Sequence, residues 1–313
     1  MSSEKNDGRI SVIIVSWNVR EFLVPCINSI IAKTSFKDYE IIVVDNASSD
    51  GTVETVKNRF PSVKLIENGE NLGFARACNI GAKKARAKYL FFLNPDTELR
   101  EKALDNLLSF LEKNMEADAV GAKLLWPDGN YQESYRRFPG TFFSILEVFE
   151  FHYYFPGNSL KLCSVYGPKS FEKSQEIDWV VGAAFAVRRD VFEKINGFDE
   201  DFFMYSEDVD LCKRIKNAGG KVYFCPDSEV VHYRGKSSES SDVRGSEYYK
   251  SLYLYHLKHS GNAKAFVFRL ALSLWCVFYV FTVFLKVVFL GAGKRGLRKI
   301  KNKLILLKWA FLE

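Results

Sequence analysis

The sequence predicts an α/β fold: a wound, mainly parallel sheet flanked by helices, with a helical appendage at the C-terminal end. Three observations carry this. Apolar runs of strand length recur at 10–16, 39–44, 63–66 and 89–93, with helical spacing between them. Carboxylates and amides collect where those runs stop, as they do at the carboxyl ends of parallel strands. A long uncharged apolar stretch, 270–285, comes late in the chain.

The elements follow in order. Residues 10–16 form a buried strand closed by Trp17 and Asn18, and 21–33 have helical periodicity. Residues 39–44 form the second strand, closed by the turn and cap formers Asp45, Asn46, Ser48, Ser49, Asp50 and Gly51. A helix then runs to about Arg59 and stops at Pro61. Residues 63–66 are the third strand, and 71–81 open the next helix. The run 89–93 reads as a fully buried central strand, broken by Asn94, Pro95 and Asp96. An amphipathic helix at 101–114 and a strand at 119–125 follow.

From 126 to 177 the chain turns irregular, aromatic and rich in turn formers, the mark of a binding excursion. Residues 178–187 return to strand, where Gly182, Ala183 and Ala184 leave room for a close approach to the backbone. Six acids then fall within 199–210, among them Glu207 and Asp208. Ser206 is placed to cap a helix that runs to about Ala218, with those two acids in its first turn. Strands at 221–225 and 230–232 complete the domain, which spans 10–237 after a disordered 1–9.

At 313 residues the chain can hold one large α/β domain with an appendage, or two domains. Its six cysteines have no CxxC spacing, which fits a reducing cytosol. The apolar run at 10–15 is too short for a signal-peptide core. No GxGxxG follows Val15 and no GxxxxGK[ST] occurs, so neither a dinucleotide fingerprint nor a P-loop is present. The net charge of +6 is concentrated late: Lys294, Arg295, Arg298, Lys299, Lys301, Lys303 and Lys308 have no acid among them. Such a tail suits nucleic acid or an anionic membrane, and its apolar neighbours favour the membrane over nucleic acid.

Several side chains admit two readings on chemistry alone. Asp96 is either a ligand for a hard cation bridging a diphosphate or a cap for the next helix. Asp45 either accepts from a base imide or ribose hydroxyl or shapes its turn. Arg76, at a helix start, either meets a phosphate or is a solvated arginine. Arg136 and Arg137, set between Tyr135 and Phe138, either hold an anionic, partly apolar acceptor or lie on the surface. His232 is either a metal ligand or a satisfied core histidine.

Taken together, the stretches 11–18, 43–51, 71–81, 92–96, 197–200, 207–211 and His232 resemble a family-2 glycosyltransferase of the GT-A fold, in a rhamnosyltransferase-like branch. The resemblance covers about 10–237 and implies a wound mixed sheet. It implies a donor site of Asn18, Asp45, Asn46, Gly73, Arg76, Asn94 and Asp96. It makes Asp208, in its pair with Glu207, the catalytic base. It gives Mg²⁺ or Mn²⁺ to Asp96 and His232. On the residues themselves, Arg136, Arg137, Trp179 and Gly182 are expected on the acceptor side. Asn94 departs from the usual first acid of the metal motif, and an amide is the weaker ligand. The implied partners are a nucleotide-diphosphate sugar and a glycan or polyprenyl-linked acceptor. The rivals are a non-catalytic sugar-binding scaffold and a sugar nucleotidyltransferase; the latter needs a glycine-rich loop where Trp17 and Asn18 stand.

The C-terminal region divides into a linking helix, 238–262, and a hydrophobic and basic segment, 263–313. Arg269 and Lys286 bound the uncharged run. A single span would carry the basic tail across, against the positive-inside tendency. A segment lying on the cytosolic face is therefore expected, and a hairpin packed on the domain or on a dimer partner is the soluble counterpart.

Overall fold

The computed structural model describes residues 9–149, 170–234, 241–290 and 293–312. The expected disorder of the first residues, the middle of the aromatic excursion and the side chains of Lys294, Arg295, Arg298 and Lys299 lie outside the described residues. Two compact units are present: 1–138 with 166–203 and 207–238, and 139–165 with 204–206 and 239–313.

The first unit begins β1 (Ile10–Ser16), α1 (Arg20–Lys33), β2 (Tyr39–Asp45), α2 (Thr52–Arg59), β3 (Lys64–Glu67), α3 (Phe74–Lys84) and β4 (Tyr89–Leu93). It continues β5 (Thr97–Leu99), α4 (Ala103–Lys113), β6 (Ala119–Leu125), β7 (Tyr131–Gln132) and β8 (Tyr135–Arg136). It closes β9 (Gln175–Ile177), β10 (Trp179–Val180), β11 (Ala184–Arg188), α6 (Arg189–Lys194), α7 (Glu207–Asn217) and β12 (Val222–His232).

The main sheet runs β3-β2-β1-β4-β11-β6-β12-β5, with β7 on β6 and β9 on β12. β1, β2, β3 and β4 are mutually parallel, whereas β11 runs antiparallel to both β4 and β6. The sheet is therefore mixed. Side-chain alternation feeds two apolar layers. Ile10, Val12 and Ile14 join Leu23, Ile27 and Ile30 of α1 on one face. Ile13 and Val15 join Ala77, Cys78 and Ala82 of α3 on the other. On that second face Phe92 lies 5.3, 5.3 and 5.0 Å from the rings of Phe185, Phe192 and Phe198. This aromatic packing ties the central strand to the segment that leads into the acidic cluster.

Three local expectations need correction. The strand expected at 178–187 is two strands broken at 181–183: β10 pairs β8 in a separate two-stranded sheet, and β11 enters the main sheet. Gly121 allows this, since a Cβ there would stand 2.6 Å from Val180 Cγ1 where β10 crosses β6. The two strands expected at 221–225 and 230–232 are one, with a register shift between Cys225 and Glu229. Pro226 lies in that interval and has no N–H for the ladder. Ser206 does not have the extended backbone of an N-cap, because its φ is 62°.

The second unit contains α5 (Thr141–Val148), α8 (Ser241–Ser260), α9 (Asn262–Leu290) and α10 (Gly293–Leu312). Val148, Leu252, Phe268, Leu272, Trp275, Cys276 and Leu306 form its core. The Asn262–Phe289 part of α9 is long and apolar enough to cross a membrane.

Candidate active site at the carboxyl edge of the sheet

Four strands deliver their last residues to one edge: Ser16 of β1, Asp45 of β2, Leu93 of β4 and His232 of β12. β11 starts at the same edge, because Ala184 is in register with Leu93. The sequence-predicted residues divide among three groups along it.

The first group shapes the β1 and β2 loops. Asp45 is buried and its Oδ1 accepts from Ser16 Oγ at 2.9 Å and Ser48 Oγ at 2.6 Å, while Oδ2 accepts from Ser48 N–H at 2.8 Å. Its carboxylate thus holds its own loop, with lone-pair capacity remaining. Asn18, exposed with φ 52°, accepts from Ser49 N–H at 2.7 Å and joins the β1 loop to the β2 loop. Buried Asn46 donates to Gly73 O at 3.1 Å, linking β2 to the start of α3. Gly73 has φ 81°, and a Cβ there would lie 2.4 Å from Phe203 O, so the 71–74 loop and the 203 loop meet only through a glycine. Arg76 is 56% exposed and stands 3.7 Å from Glu200, an exposed pair of little energetic weight.

The second group lies past β4. Asp96 is fully buried, and its Oδ1 is 3.6 Å from His232 Nε2, longer than a hydrogen bond. β5 pairs with the end of β12 and brings the two together, and Tyr233 N–H donates to Asp96 O at 3.0 Å. His232 Nδ1 contacts Gln132 Oε1 at 2.6 Å, while Gln132 Nε2 donates back to His232 O at 3.1 Å. An amide oxygen only accepts, so Nδ1 carries a proton in this contact, and Nε2 is the nitrogen that faces Asp96. Among the described residues no group of three or more His, Cys, Asp or Glu could hold a metal. One carboxylate and one imidazole would give a divalent cation two donors, Asp96 the oxygen and His232 the nitrogen.

The third group forms around Asp208, at the start of α7. Gly182 N–H donates to Asp208 Oδ2 at 2.7 Å, and Val209 N–H to Oδ1 at 2.8 Å. Next to Gly182, Ala183 O accepts from Asn94 N–H at 2.8 Å. One backbone–backbone bond and one backbone-to-carboxylate bond therefore link the end of β4 to Asp208. Burial pushes the Asp208 carboxyl up to about 6, with the two N–H groups and the Arg136 charge pulling the other way. Glu207 is driven well above the carboxylate range by burial and then by the Asp208 charge, and its Oε2 has no hydrogen-bond partner among the described residues. The two backbone donors favour a negative charge on Asp208. Arg136 reaches this region from β8, where it pairs in register with Trp179 and donates to Glu133 at 2.5 Å. Trp179 Nε1 donates to Arg137 O at 2.9 Å.

Two residues that sequence reasoning passed over prove central. Gln132 sits in a two-residue strand and nothing in its flanks distinguishes it. Asn79 is the amide on the otherwise apolar buried face of α3, a signal that was available. It accepts from Phe198 N–H at 2.9 Å and donates to Phe198 O at 2.9 Å and Glu200 Oε1 at 3.0 Å, clamping the loop before Asp208.

Comparison with known proteins shows the family and the fold. Glycosyl transferase family 2 matches residues 11–195, and the N-terminal domain of galactosyltransferase matches 167–236. The chain is 30% identical over 239 residues to N-acetylglucosaminyl-diphospho-decaprenol L-rhamnosyltransferase of Mycobacterium tuberculosis, covering 71% of this chain and 76% of the relative. It is 26% identical over 257 residues to the rhamnosyltransferase WbbL of Escherichia coli strain K12, covering 80% and 90%. Among solved structures, GalNAc-T7 with UDP, GalNAc and Mn²⁺ superposes with a TM-score of 0.56 at 21% identity over 73% of this chain. Staphylococcus aureus TarS superposes at 0.54 and 16% identity over 85%. The chain spans 44% and 42% of those two chains, and the likeness to them is one of fold.

The Asn79 clamp has a direct test. Replacing it by Ala leaves the backbone groups of Phe198 without their partner, and the expected loss is about 1–3 kcal/mol. Equilibrium urea unfolding measures it, and an unchanged midpoint would show that other contacts hold the loop.

Proposed function

Because the chain belongs to glycosyl transferase family 2, we propose that it moves rhamnose or another hexose from a nucleotide-diphosphate donor to a hydroxyl of a glycan or polyprenyl-linked acceptor. It is a glycosyltransferase of rhamnosyltransferase type, of polysaccharide or glycolipid synthesis. The proposal adds the donor class, inversion at the anomeric carbon, metal assistance and work at the cytosolic face of a membrane, where nucleotide sugars are available.

The observation that carries the reading is the pair of hydrogen bonds, Asn94 N–H to Ala183 O and Gly182 N–H to Asp208 Oδ2, that joins the end of β4 to the Asp208 carboxylate. It supports placing the group that takes a proton and the group that meets a diphosphate on one edge. In the proposed step an acceptor hydroxyl oxygen attacks the anomeric carbon from the face opposite the diphosphate. The carbon–oxygen bond to the diphosphate breaks, its electron pair leaves with the diphosphate, and Asp208 takes the hydroxyl proton. A carboxylate pushed up to about 6 is mostly ionised at neutral pH and is a stronger base than an ordinary aspartate. No second carboxylate is needed as a nucleophile, so a single displacement and inversion follow.

A divalent cation held by Asp96 and His232 would neutralise charge collecting on the departing diphosphate. Gln132 is the positioning residue on this side. Its contact fixes the His232 tautomer and ring, as outer partners of ligating histidines generally do. On the donor side, Asp45, Asn18 and Asn46 hold the loops against which a nucleoside would sit, and Gly73 and Arg76 lie at the N-terminus of α3, which favours an anion. Arg136, Arg137, Trp179 and Gly182 bound the acceptor side, where two guanidinium groups suit a lipid-linked diphosphate.

Two substitutions test the assignment. Asp208→Asn is nearly isosteric and is expected to lower transfer by 10²-fold or more while donor affinity, read by calorimetry, stays within about twofold. Transfer at near wild-type rate would refute the base. Gln132→Leu is expected to weaken Mn²⁺ binding, measured by electron paramagnetic resonance with inorganic pyrophosphate, by about 10–100-fold. Unchanged Mn²⁺ affinity in Gln132→Leu, beside a loss in His232→Ala, would remove Gln132 from the metal side alone.

A further inference from the structure

The second unit exposes an apolar face that its own core does not cover. Along α9, Leu270, Leu274, Val277, Phe281, Phe284 and Val288 are each 47–59% exposed, at spacings of three and four that keep them on one stripe. The opposite side, with Phe268, Leu272, Trp275 and Cys276, is buried in the unit's core. So long a continuous apolar face marks an interaction surface.

The surroundings of Trp275, midway along α9, identify its occupant. Lys303 Nζ lies 4.2 Å from the centre of the Trp275 ring, and 5.4 and 5.5 Å from those of Tyr249 and Tyr279. The ammonium is held against three aromatic faces. Tyr249 of α8 also packs on Trp275 at 5.7 Å, and its neighbour Lys250 is paired with Glu247. Were α9 to cross a bilayer, these charges would lie near the midplane, where they are strongly disfavoured. A helix lying in the headgroup layer avoids this, burying only its stripe and leaving the charged side in water. α10 presents Leu304, Ile305 and Phe311 exposed together with Lys301 and Lys308, at the spacing of one helix face. Cations beside exposed apolar side chains fit anionic headgroups.

We propose that α9 lies in the plane of an anionic lipid surface, held by its exposed stripe and by Lys301 and Lys308, and does not span. This deepens the membrane part of the reading above, and its test uses neither donor nor acceptor, so it stands apart from the chemistry. The full chain is mixed with liposomes of phosphatidylcholine alone or with 30% phosphatidylglycerol, the latter composition being about a third anionic. The anionic vesicles are expected to bind it more tightly. Phe278→Ser with Phe281→Ser, both exposed positions, is expected to lower partitioning at least tenfold with an unchanged melting temperature. Lys301→Gln and Lys308→Gln are expected to cost about fivefold each on anionic vesicles and nothing on neutral ones.

For orientation, Asn262→Cys and Val288→Cys place thiols at the two ends of α9. In sealed inside-out vesicles of the expression host, an impermeant maleimide is expected to label both above the wild-type background. Labelling at one end only would establish a span and overturn the proposal. So would a protein that ignores both vesicles and sediments as a dimer that the Phe278 and Phe281 substitutions split, since a second copy would then cover the stripe.

Discussion

The hydrogen bond from Gly182 N–H to Asp208 Oδ2, at 2.7 Å, is the constraint on which the site depends. It forms just before β11, where that strand begins beside the end of β4, and the missing side chain at 182 eases the approach. A Cβ there would lie 3.2 Å from both Asp208 Cβ and Oδ2. The bond also opposes the effect of burial on the carboxylate. Burial alone would favour the neutral acid, while the backbone donors and Arg136 offset part of that cost. Glu207, beside it and without a partner for Oε2 among the described residues, is pushed towards neutrality by burial and by the Asp208 charge.

The opposite side of the crevice follows a similar logic with different chemistry. Asp96 and His232 come from segments far apart in the chain, joined because β5 turns back along β12. The amide of Gln132 decides which imidazole nitrogen is available. Asn94, which replaces the first acid of the usual motif, contributes chiefly through its backbone: its N–H meets Ala183, and its carbonyl accepts from Thr97 Oγ1 at 2.7 Å. The side chain at 94 can therefore be an amide without loss of the turn that places Asp96.

Much of this was legible in the sequence because the parallel half of the sheet is built from uninterrupted apolar runs that end in polar turns. The runs at 10–16, 39–44 and 89–93 became β1, β2 and β4 almost residue for residue. The acids at 45, 96 and 208 fell on the expected edge because connection rules leave few alternatives. What escaped was set by long-range pairing. Nothing local to 178–187 announces that Val180 must cross Gly121 while Ala184 enters the sheet. The gap expected between strands at 221–225 and 230–232 proved to be an irregularity within one strand, at Pro226. Gln132 is visible only once β7 stands beside His232, whereas the buried amide of Asn79 could have been read from its place on an apolar helix face.

The central claim is that Asp208 acts as an anionic base whose charge is sustained by its neighbours. The pH dependence of kcat/KM in the wild type and in Arg136→Gln addresses it most directly. Removing a cation disfavours the ionised form of a nearby acid. The wild type should lose activity as pH falls through about 6, and the variant should lose it at higher pH. An acid limb at the same pH in both proteins, or none near 6, would contradict the account.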